Sequence, residues 1–222
     1  MRTDELLHDL YDRLSTHFGP CRWWPGDSSF EIMVGAILTQ NTNWKNVEQA
    51  IENLKKAELL SLSAMSALSA ERLAAYIRPA GYYNIKANRL QNFFHLINDQ
   101  WDGDLEYFLA QPKEVLREEL LSVKGIGPET ADSMILYAAG KPVFVVDAYT
   151  HRILIRHEII DESFDYHMIQ ELFLENLEEN SALFNEYHAL IVQVGKEFCK
   201  KTRPACKQCP VSGLNGVSPD IS

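Results

Sequence analysis

Long hydrophobic runs are absent from this 222-residue sequence. No apolar stretch approaches the roughly 20 residues that a membrane-spanning helix requires. The first five residues, MRTDE, are polar and charged, unlike the apolar centre of a secretory signal peptide. We therefore expect a cytoplasmic protein that does not associate with a membrane. Because no feature of the sequence indicates self-association, a monomer is the expected state.

An excess of positive charge is also absent. The chain has 21 Lys and Arg against 31 Asp and Glu, a formal net charge of −10. Taken alone, this balance disfavours nucleic acid as a partner, because binding phosphate favours clustered positive charge. The distribution is uneven, however. Basic residues gather near the C-terminus at Lys196, Lys200, Lys201, Arg203 and Lys207. A local basic surface can override the total charge.

Cysteine is scarce, but three of the four cysteines are clustered. Cys199, Cys206 and Cys209 lie within eleven residues, whereas Cys21 is far away in the sequence. In a cytosolic chain such clustering indicates metal ligation rather than a disulfide framework.

The apolar residues recur mostly at helical spacing, which predicts an all-α fold. One such stripe consists of Leu6, Leu7, Leu10, Tyr11 and Leu14. Residues 30–38 are apolar almost all round, which is typical of a helix buried within a bundle. The strand-like residues 143–146 are too few to build a sheet. After Pro210 the periodicity is lost, so residues 211–222 are expected to form a loosely held tail.

The segment between two predicted helices, residues 123–128 (VKGIGP), carries the strongest chemical signal. Gly125 and Gly127 permit backbone conformations that bring amide N–H groups together around an anion. The N-terminus of the following helix adds its positive dipole end, and Lys124 could assist. A phosphate-binding turn is one interpretation; an ordinary tight turn between helices is the other.

Four segments in the same order resemble the helix-hairpin-helix (HhH-GPD) DNA glycosylases of the endonuclease III superfamily. They are residues 37–42 (ILTQNT), 81–87 (GYYNIKA), the Gly125-Ile126-Gly127 hairpin followed by Val145-Val146-Asp147, and the cysteine cluster. Any one of them is weak; four in order are specific. The partner that the resemblance implies is double-stranded DNA containing damaged bases.

The resemblance also implies an architecture of two α-helical lobes with a DNA-binding cleft between them. A six-helix, barrel-like lobe would span residues 23–140, with the helix-hairpin-helix motif at about 113–139. Residues 1–22 and 141–222 would form the second lobe, with a partial iron–sulfur loop at 199–215.

In this resemblance Asp147 is the catalytic carboxylate that breaks the bond between base and sugar. Its alternative role is a helix N-cap, and the two roles are compatible because a capping carboxylate stays ionised. Bifunctional family members place a nucleophilic lysine two residues after the second hairpin glycine. Here that position is Glu129, which cannot form the Schiff base needed for strand cleavage. The sequence therefore predicts a monofunctional enzyme that uses water.

The predicted base-binding pocket contains Trp24, Trp44 and Gln40. Aromatic faces attract cations, and N-alkylated purines such as 3-methyladenine carry positive charge. The chain looks closest to the bacterial 3-methyladenine glycosylase (type III) branch. Core packing is the alternative role for both tryptophans, and a polar helix end is the alternative for Gln40, which in the resemblance fills the gap left by the flipped base.

Further DNA contacts are predicted at the segment of residues 81–89. Tyr82 occupies the place from which a wedge enters the base stack, although it could instead pack under the turn. Lys86 and Arg89 are candidate phosphate contacts, with a solvated helix face as the alternative.

The cysteine spacing matches three of the four ligands of the family's [4Fe-4S] pattern, at Cys199, Cys206 and Cys209. The fourth position is Asn215. Three outcomes stay open: a labile cluster with three thiolates, a zinc ion bound by the cysteines and His188, or a loop of free thiols.

Two other functions also stay open. One is an endonuclease III-like or mismatch-specific thymine or adenine glycosylase. The other is a non-catalytic DNA-binding module that uses the hairpin only to hold phosphate.

Overall fold

A computed structural model describes residues 2–21 and 26–217, and within these ranges the chain forms helices, turns and loops without a β-strand. The predicted all-α fold is confirmed. In chain order the α-helices are α1 (Thr3–Phe18), α2 (Ser29–Thr39), α3 (Trp44–Lys56), α4 (Leu62–Ser66), α5 (Ala70–Tyr76), α6 (Tyr83–Gln100), α7 (Leu105–Ala110), α8 (Lys113–Ser122), α9 (Pro128–Ser133), α10 (Ala148–Arg156), α11 (Tyr166–Asn176) and α12 (Ser181–Glu197). A π-helical segment, Met134–Ala138, continues α9. Among the described residues, no helix combines the length and apolar character that crossing a membrane requires.

The described residues divide into two compact units. Those between 24 and 141 form the central unit, which contains α2 to α9. Those before 24 and after 141 form the terminal unit, which contains α1 and α10 to α12.

The core of the central unit is built around α2. Six of its hydrophobic residues are buried, because this helix packs against α3, α6 and the π-helical segment; they are Phe30, Met33, Val34, Ala36, Ile37 and Leu38. Its first turn is capped by Ser28, whose hydroxyl accepts a 3.2 Å hydrogen bond from the N–H of Glu31. The predicted buried helix is confirmed.

Residues 143–146 belong to no helix or strand and are buried in the core of the terminal unit. Phe144 stacks on Phe173 of α11 with ring centroids 3.7 Å apart. Its carbonyl oxygen accepts a 2.7 Å hydrogen bond from the side chain of Gln170. Because a buried carbonyl needs a partner, this side chain replaces the neighbouring strand that a sheet would supply. This segment leads directly into Asp147, the N-cap of α10.

The expectation of a loosely held tail is wrong for residues 211–217. Val211 and Leu214 are fully buried in the terminal unit. The side-chain amide of Asn215 donates a 3.2 Å hydrogen bond to the carbonyl oxygen of His157. Short turns bury isolated apolar residues without a helical repeat, so a search for periodicity misses them.

Candidate active site

The hairpin lies between α8 and α9. Gly125 has a φ of 101°, a left-handed conformation that favours glycine, whereas Gly127 has a φ of −102° and caps α9. Among the described residues, no protein acceptor is bonded to the amide N–H of either glycine. Both N–H groups therefore have no bond to the protein, and anion binding at this turn stays a prediction.

Gln40 ties the end of α2 to this hairpin. Its Nε2 donates hydrogen bonds to the carbonyl oxygen of Gly125 at 3.1 Å and to Oγ1 of Thr130 at 3.0 Å. Its Oε1 accepts a short hydrogen bond from the guanidinium of Arg89. Both the nitrogen and the oxygen of the Gln40 side-chain amide are therefore hydrogen-bonded. Entry of Gln40 into a base stack would require some of these bonds to open.

Arg89 lies against the hairpin rather than on a solvated helix face. A Cβ at Gly125 would approach the Cγ of Arg89 to 2.5 Å. A larger residue here would force the Arg89 side chain to move, in addition to straining the left-handed backbone. The sequence analysis did not predict that Gln40 and Arg89 are connected with the hairpin by hydrogen bonds.

The structure corrects the role predicted for Lys86. Its side chain is 1% exposed, and its Nζ donates 2.8 Å hydrogen bonds to the carbonyl oxygens of Leu38 and Ala80. Both carbonyls lie at the C-terminal ends of helical turns, where a cation is favoured. An enclosed ammonium whose donors are used in this way cannot reach a phosphate. Burial, followed by the charge of Arg89, lowers the pKa of Lys86 to about 8.

Tyr82 and Lys124 both lie on the surface of the central unit. Tyr82 is 67% exposed and has a left-handed φ of 46° just before α6. It does not pack under the turn. Lys124 has an exposed side chain, and its carbonyl oxygen accepts a 2.9 Å hydrogen bond from Asn92.

Asp147 is the N-cap of α10, as one of its two predicted roles required. Its Oδ1 accepts hydrogen bonds from the N–H of Thr150 at 2.8 Å and from the hydroxyl of Thr150 at 2.9 Å. The other oxygen, Oδ2, lies 3.6 Å from Nε2 of His188 on α12. The Asp147 side chain is 10% exposed.

The pKa of Asp147 reflects opposing effects. Burial alone raises it. The proximity and charge of His188, and then the bonds from Thr150, lower it, and the resulting pKa lies below the usual aspartate value. Asp147 is therefore an ionised carboxylate at neutral pH. Sequence reasoning considered His188 only as a metal ligand; the structure places it beside Asp147 instead.

Trp44 lines a cavity of about 480 Å³ in the central unit. Its indole N–H donates a 2.8 Å hydrogen bond to Glu48, one turn further along α3. The titratable residues that line the cavity are Asp27, Glu31, Glu48, Glu52 and Lys55. Four carboxylates and one ammonium give this lining a formal charge of −3. Trp24, the other tryptophan predicted for the pocket, lies outside the described residues.

The cysteine loop does not fit a four-iron cluster. Cys199, Cys206 and Cys209 line one cavity of only about 10 Å³, the space of about one water molecule. The guanidinium of Arg156 donates a 3.2 Å hydrogen bond to Sγ of Cys199. Asn215, at the position of the fourth ligand, uses its amide to bond a backbone carbonyl. No group of three or more metal-binding side chains is placed for an ion in the parts of the chain that the structure describes.

Comparisons with known proteins agree with this geometry. The model of the HhH-GPD superfamily base excision DNA repair protein matches residues 34–179. MJ1434 of Methanocaldococcus jannaschii, provisionally named a DNA repair glycosylase, is 44% identical over 209 residues, covering 93% of this chain and 94% of its own. Endonuclease III of Sulfolobus acidocaldarius is 27% identical over 183 residues, covering 82% and 79%.

Solved structures give the same result. The crystal structure of Helicobacter pylori 3-methyladenine DNA glycosylase (MagIII) bound to 1,N6-ethenoadenine is similar with a TM-score of 0.75 and 32% identity. The match covers 89% of this chain and 98% of that one. An endonuclease III–DNA complex has a TM-score of 0.82 at 21% identity, covering 96% and 95%, which shows a shared fold.

The fold and the hairpin define a helix-hairpin-helix protein of DNA base excision. The chain belongs to the HhH-GPD superfamily of base excision DNA repair proteins, as its sequence resemblance predicted, and it is a DNA glycosylase of that superfamily.

Proposed function

We propose that this glycosylase is a monofunctional enzyme that acts as a monomer on duplex DNA and removes alkylated purines such as 3-methyladenine. The observation that carries the substrate class is the acid-lined cavity beside Trp44. The substrate class is also supported by the 32% identity of this chain to the H. pylori protein named a 3-methyladenine DNA glycosylase.

Asp147 would act on the sugar. As the N-glycosidic bond breaks, its electron pair leaves with the base and positive charge develops at C1′. An ionised carboxylate stabilises that charge, and it can also orient the water that adds to C1′ and accept its proton. The bonds from Thr150 hold Oδ1, which leaves Oδ2 as the oxygen for this work.

Glu129 supports hydrolysis over strand cleavage. It lies in the first turn of α9, two residues after Gly127, with an exposed side chain. A carboxylate cannot attack C1′ to give a Schiff base, because that intermediate requires an amine. Water is then the nucleophile, and the product is an abasic site in an intact strand.

The cavity beside Trp44 would receive the flipped base. A negative lining attracts a cationic base, and the face of an indole favours a cation most when water is excluded. Glu31 is nearly buried, but its charge is matched by Lys55 at 2.8 Å. Glu48 fixes the edge of the Trp44 ring. A neutral, undamaged purine gains much less from such a lining.

The hairpin and Tyr82 would hold the DNA. The free amides of Gly125 and Gly127 suit a phosphate oxygen, and Lys124 adds an exposed positive charge nearby. Tyr82, exposed at the tip of its turn, is available to enter the stack where the base has left.

The test is a panel of duplexes that each carry one lesion: 3-methyladenine, 7-methylguanine, 1,N6-ethenoadenine, or a mismatched thymine or adenine. Released base is measured directly, and strand breaks are measured with and without alkali. We expect release of alkylated purines, with breaks only after alkali. Preferential release from mismatches would replace the proposed substrate class. Binding without any base release would indicate a DNA-binding module.

Two variants test the assigned residues. Asp147→Asn should abolish base release and keep duplex affinity, since asparagine is also a good N-cap. Trp44→Ala should reduce release of alkylated purines far more than duplex affinity. Tyr107→Ala, which removes an exposed aromatic ring that does not line the cavity, is the control. Equal loss of affinity and release in Trp44→Ala would indicate a packing role.

A further inference from the structure

His188 is a buried polar residue on an otherwise apolar part of α12. It is 4% exposed, and its neighbours in the helix include Tyr187 and Leu190, which are fully buried. Burial of an imidazole is unfavourable unless it is matched by a polar partner. The partner that faces its Nε2 is Oδ2 of Asp147, at 3.6 Å.

The carboxylate of Asp147 is held differently at its two oxygens. Thr150 supplies two hydrogen bonds to Oδ1, both from α10 itself. Oδ2 faces α12, where His188 lies. A cap held at one oxygen leaves the carboxylate free to turn about its Cβ–Cγ bond, whereas a second contact at the other oxygen fixes its plane.

We propose that His188 is the positioning residue for Asp147: from α12 it faces Oδ2 and fixes the orientation of the buried carboxylate. The inference rests on the proposed function, because it assigns His188 a role in the reaction that Asp147 performs. It requires no contact between His188 and the DNA.

The electrostatic balance at Asp147 supports this role. Burial raises the pKa of Asp147, and His188 is the largest of the influences that lower it. Removing the imidazole therefore leaves burial opposed only by Thr150, so the pKa of Asp147 should rise. With a raised pKa, Asp147 would be protonated over more of the acidic range. In that range the neutral carboxyl group could not stabilise the positive charge that develops on the sugar.

Other titratable groups near the contact between α10 and α12 are directed elsewhere. Tyr149 lies against Gly195, and the guanidinium of Arg152 donates to the carbonyl oxygen of Cys199 at 2.8 Å. From α1, Tyr11 contacts the ring of Tyr187. The shift in the pKa of Asp147 comes from burial, His188 and Thr150.

The first experiment compares His188→Phe with the wild type in single-turnover base release across pH. We expect the rate at neutral pH to fall roughly 10- to 100-fold, since a misplaced catalytic group loses about this much, with little change in KM. The acid limb of the rate profile should move to higher pH. His188→Gln, which keeps a polar group facing Oδ2, should recover part of the neutral rate.

The matched control is Tyr187→Phe. Tyr187 is the neighbour of His188 on α12. The substitution removes a buried 2.7 Å hydrogen bond from the Tyr187 hydroxyl to the carbonyl oxygen of Leu7. Its acid limb should remain at the wild-type pH. If Tyr187→Phe shifts the limb as His188→Phe does, or if His188→Phe lowers the rate without shifting the limb, the role of His188 is packing and the proposal is wrong.

A second readout needs no substrate. A depressed aspartate pKa contributes stability above the unfolded value of about 3.9, and that contribution is lost as pH falls through the folded pKa. Because His188→Phe raises the folded pKa, the stability advantage of the wild type over this variant should be greatest at pH 7 and should shrink as pH falls toward 3, as measured by urea unfolding. In an Asp147→Asn background the substitution should produce no such pH dependence; a persistent dependence would contradict the pairing.

The two proposals can fail separately. If Asp147→Asn remains active, the catalytic assignment fails even though the stability shift is present. If Asp147→Asn is inactive and His188→Phe behaves as the wild type in both readouts, only the role of His188 fails.

Discussion

The side-chain amide of Gln40 bonds to the carbonyl oxygen of Gly125 at 3.1 Å, across 85 residues of sequence. The end of α2 and the hairpin are therefore one hydrogen-bonded unit rather than two independent DNA-facing turns. Arg89 extends it, because its guanidinium bonds the other end of the same amide. A change at any of these three residues should disturb the hairpin.

The two hairpin glycines should respond differently to alanine. Gly125→Ala places a Cβ 2.5 Å from Arg89 and strains a left-handed backbone, so we expect a loss of about 1–3 kcal/mol in the free energy of unfolding. Gly127→Ala meets no atom within 4 Å and keeps an ordinary φ, so the fold should be nearly unaffected.

Duplex affinity completes this comparison. If the hairpin amides bind a phosphate, a methyl group at exposed Gly127 should hinder its approach, so we expect Gly127→Ala to bind duplex DNA more weakly at unchanged stability. Fluorescence anisotropy and urea unfolding measure the two quantities. Wild-type affinity in Gly127→Ala would show that the hairpin does not approach the backbone of DNA.

The identity of residue 129 should decide whether the strand is cut. Wild-type protein treated with borohydride in the presence of lesion DNA should form no covalent complex, because Glu129 offers no amine. Glu129→Lys should form a trappable complex and cut without alkali. Lys124, already present and exposed, serves as the internal control. Trapping with the wild type would contradict a monofunctional enzyme.

Removing the buried ammonium of Lys86 should destabilise the central unit. Lys86→Met leaves the carbonyl oxygens of Leu38 and Ala80 without their partner, which we expect to cost roughly 2–4 kcal/mol. Lys56→Met, at a lysine whose side chain is 70% exposed, should cost little. Urea unfolding at pH 7 measures both. Equal stabilities of the two variants would contradict the capping role.

The lowered pKa of Lys86 predicts that the free energy of unfolding depends on pH in the alkaline range. Because its folded pKa is about 8 and its unfolded pKa about 10.4, the folded state releases this proton first as pH rises. The charged form is disfavoured in the fold, so the wild type should gain stability relative to Lys86→Met between these two values. A constant difference across pH 7 to 10 would indicate an unshifted lysine.

The cysteine loop should be held by Arg156 rather than by iron. Its guanidinium bonds Sγ of Cys199 and the carbonyl oxygens of Lys200 and Lys201. Arg156→Met should therefore lower the melting temperature, whereas Cys206→Ala should leave both stability and base release nearly unchanged. Stoichiometric iron by mass spectrometry, or its loss in Cys206→Ala, would contradict this prediction.

Local sequence patterns predicted much of the fold and part of the candidate site. The apolar run in α2, the glycine spacing of the hairpin and the extended residues before Asp147 each depend on neighbours in sequence, and each was predictable. The burial of Lys86 was not predictable, because a lysine looks the same in sequence whether its side chain faces solvent or the carbonyl groups of two helix ends. The packing of Leu214 was missed for a related reason: a single apolar residue has no period.

By itself, the sequence determined that the chain is helical, that a glycine turn lies between two of its helices, and that a carboxylate follows an extended apolar segment. These properties arise from backbone preferences and spacing over a few residues. Only the tertiary structure decided that His188 faces Asp147 and that Gln40 bonds the hairpin, since 41 and 85 residues of chain separate these partners. Contacts between such distant residues follow from how whole helices pack, and helix packing is set by many side chains acting together.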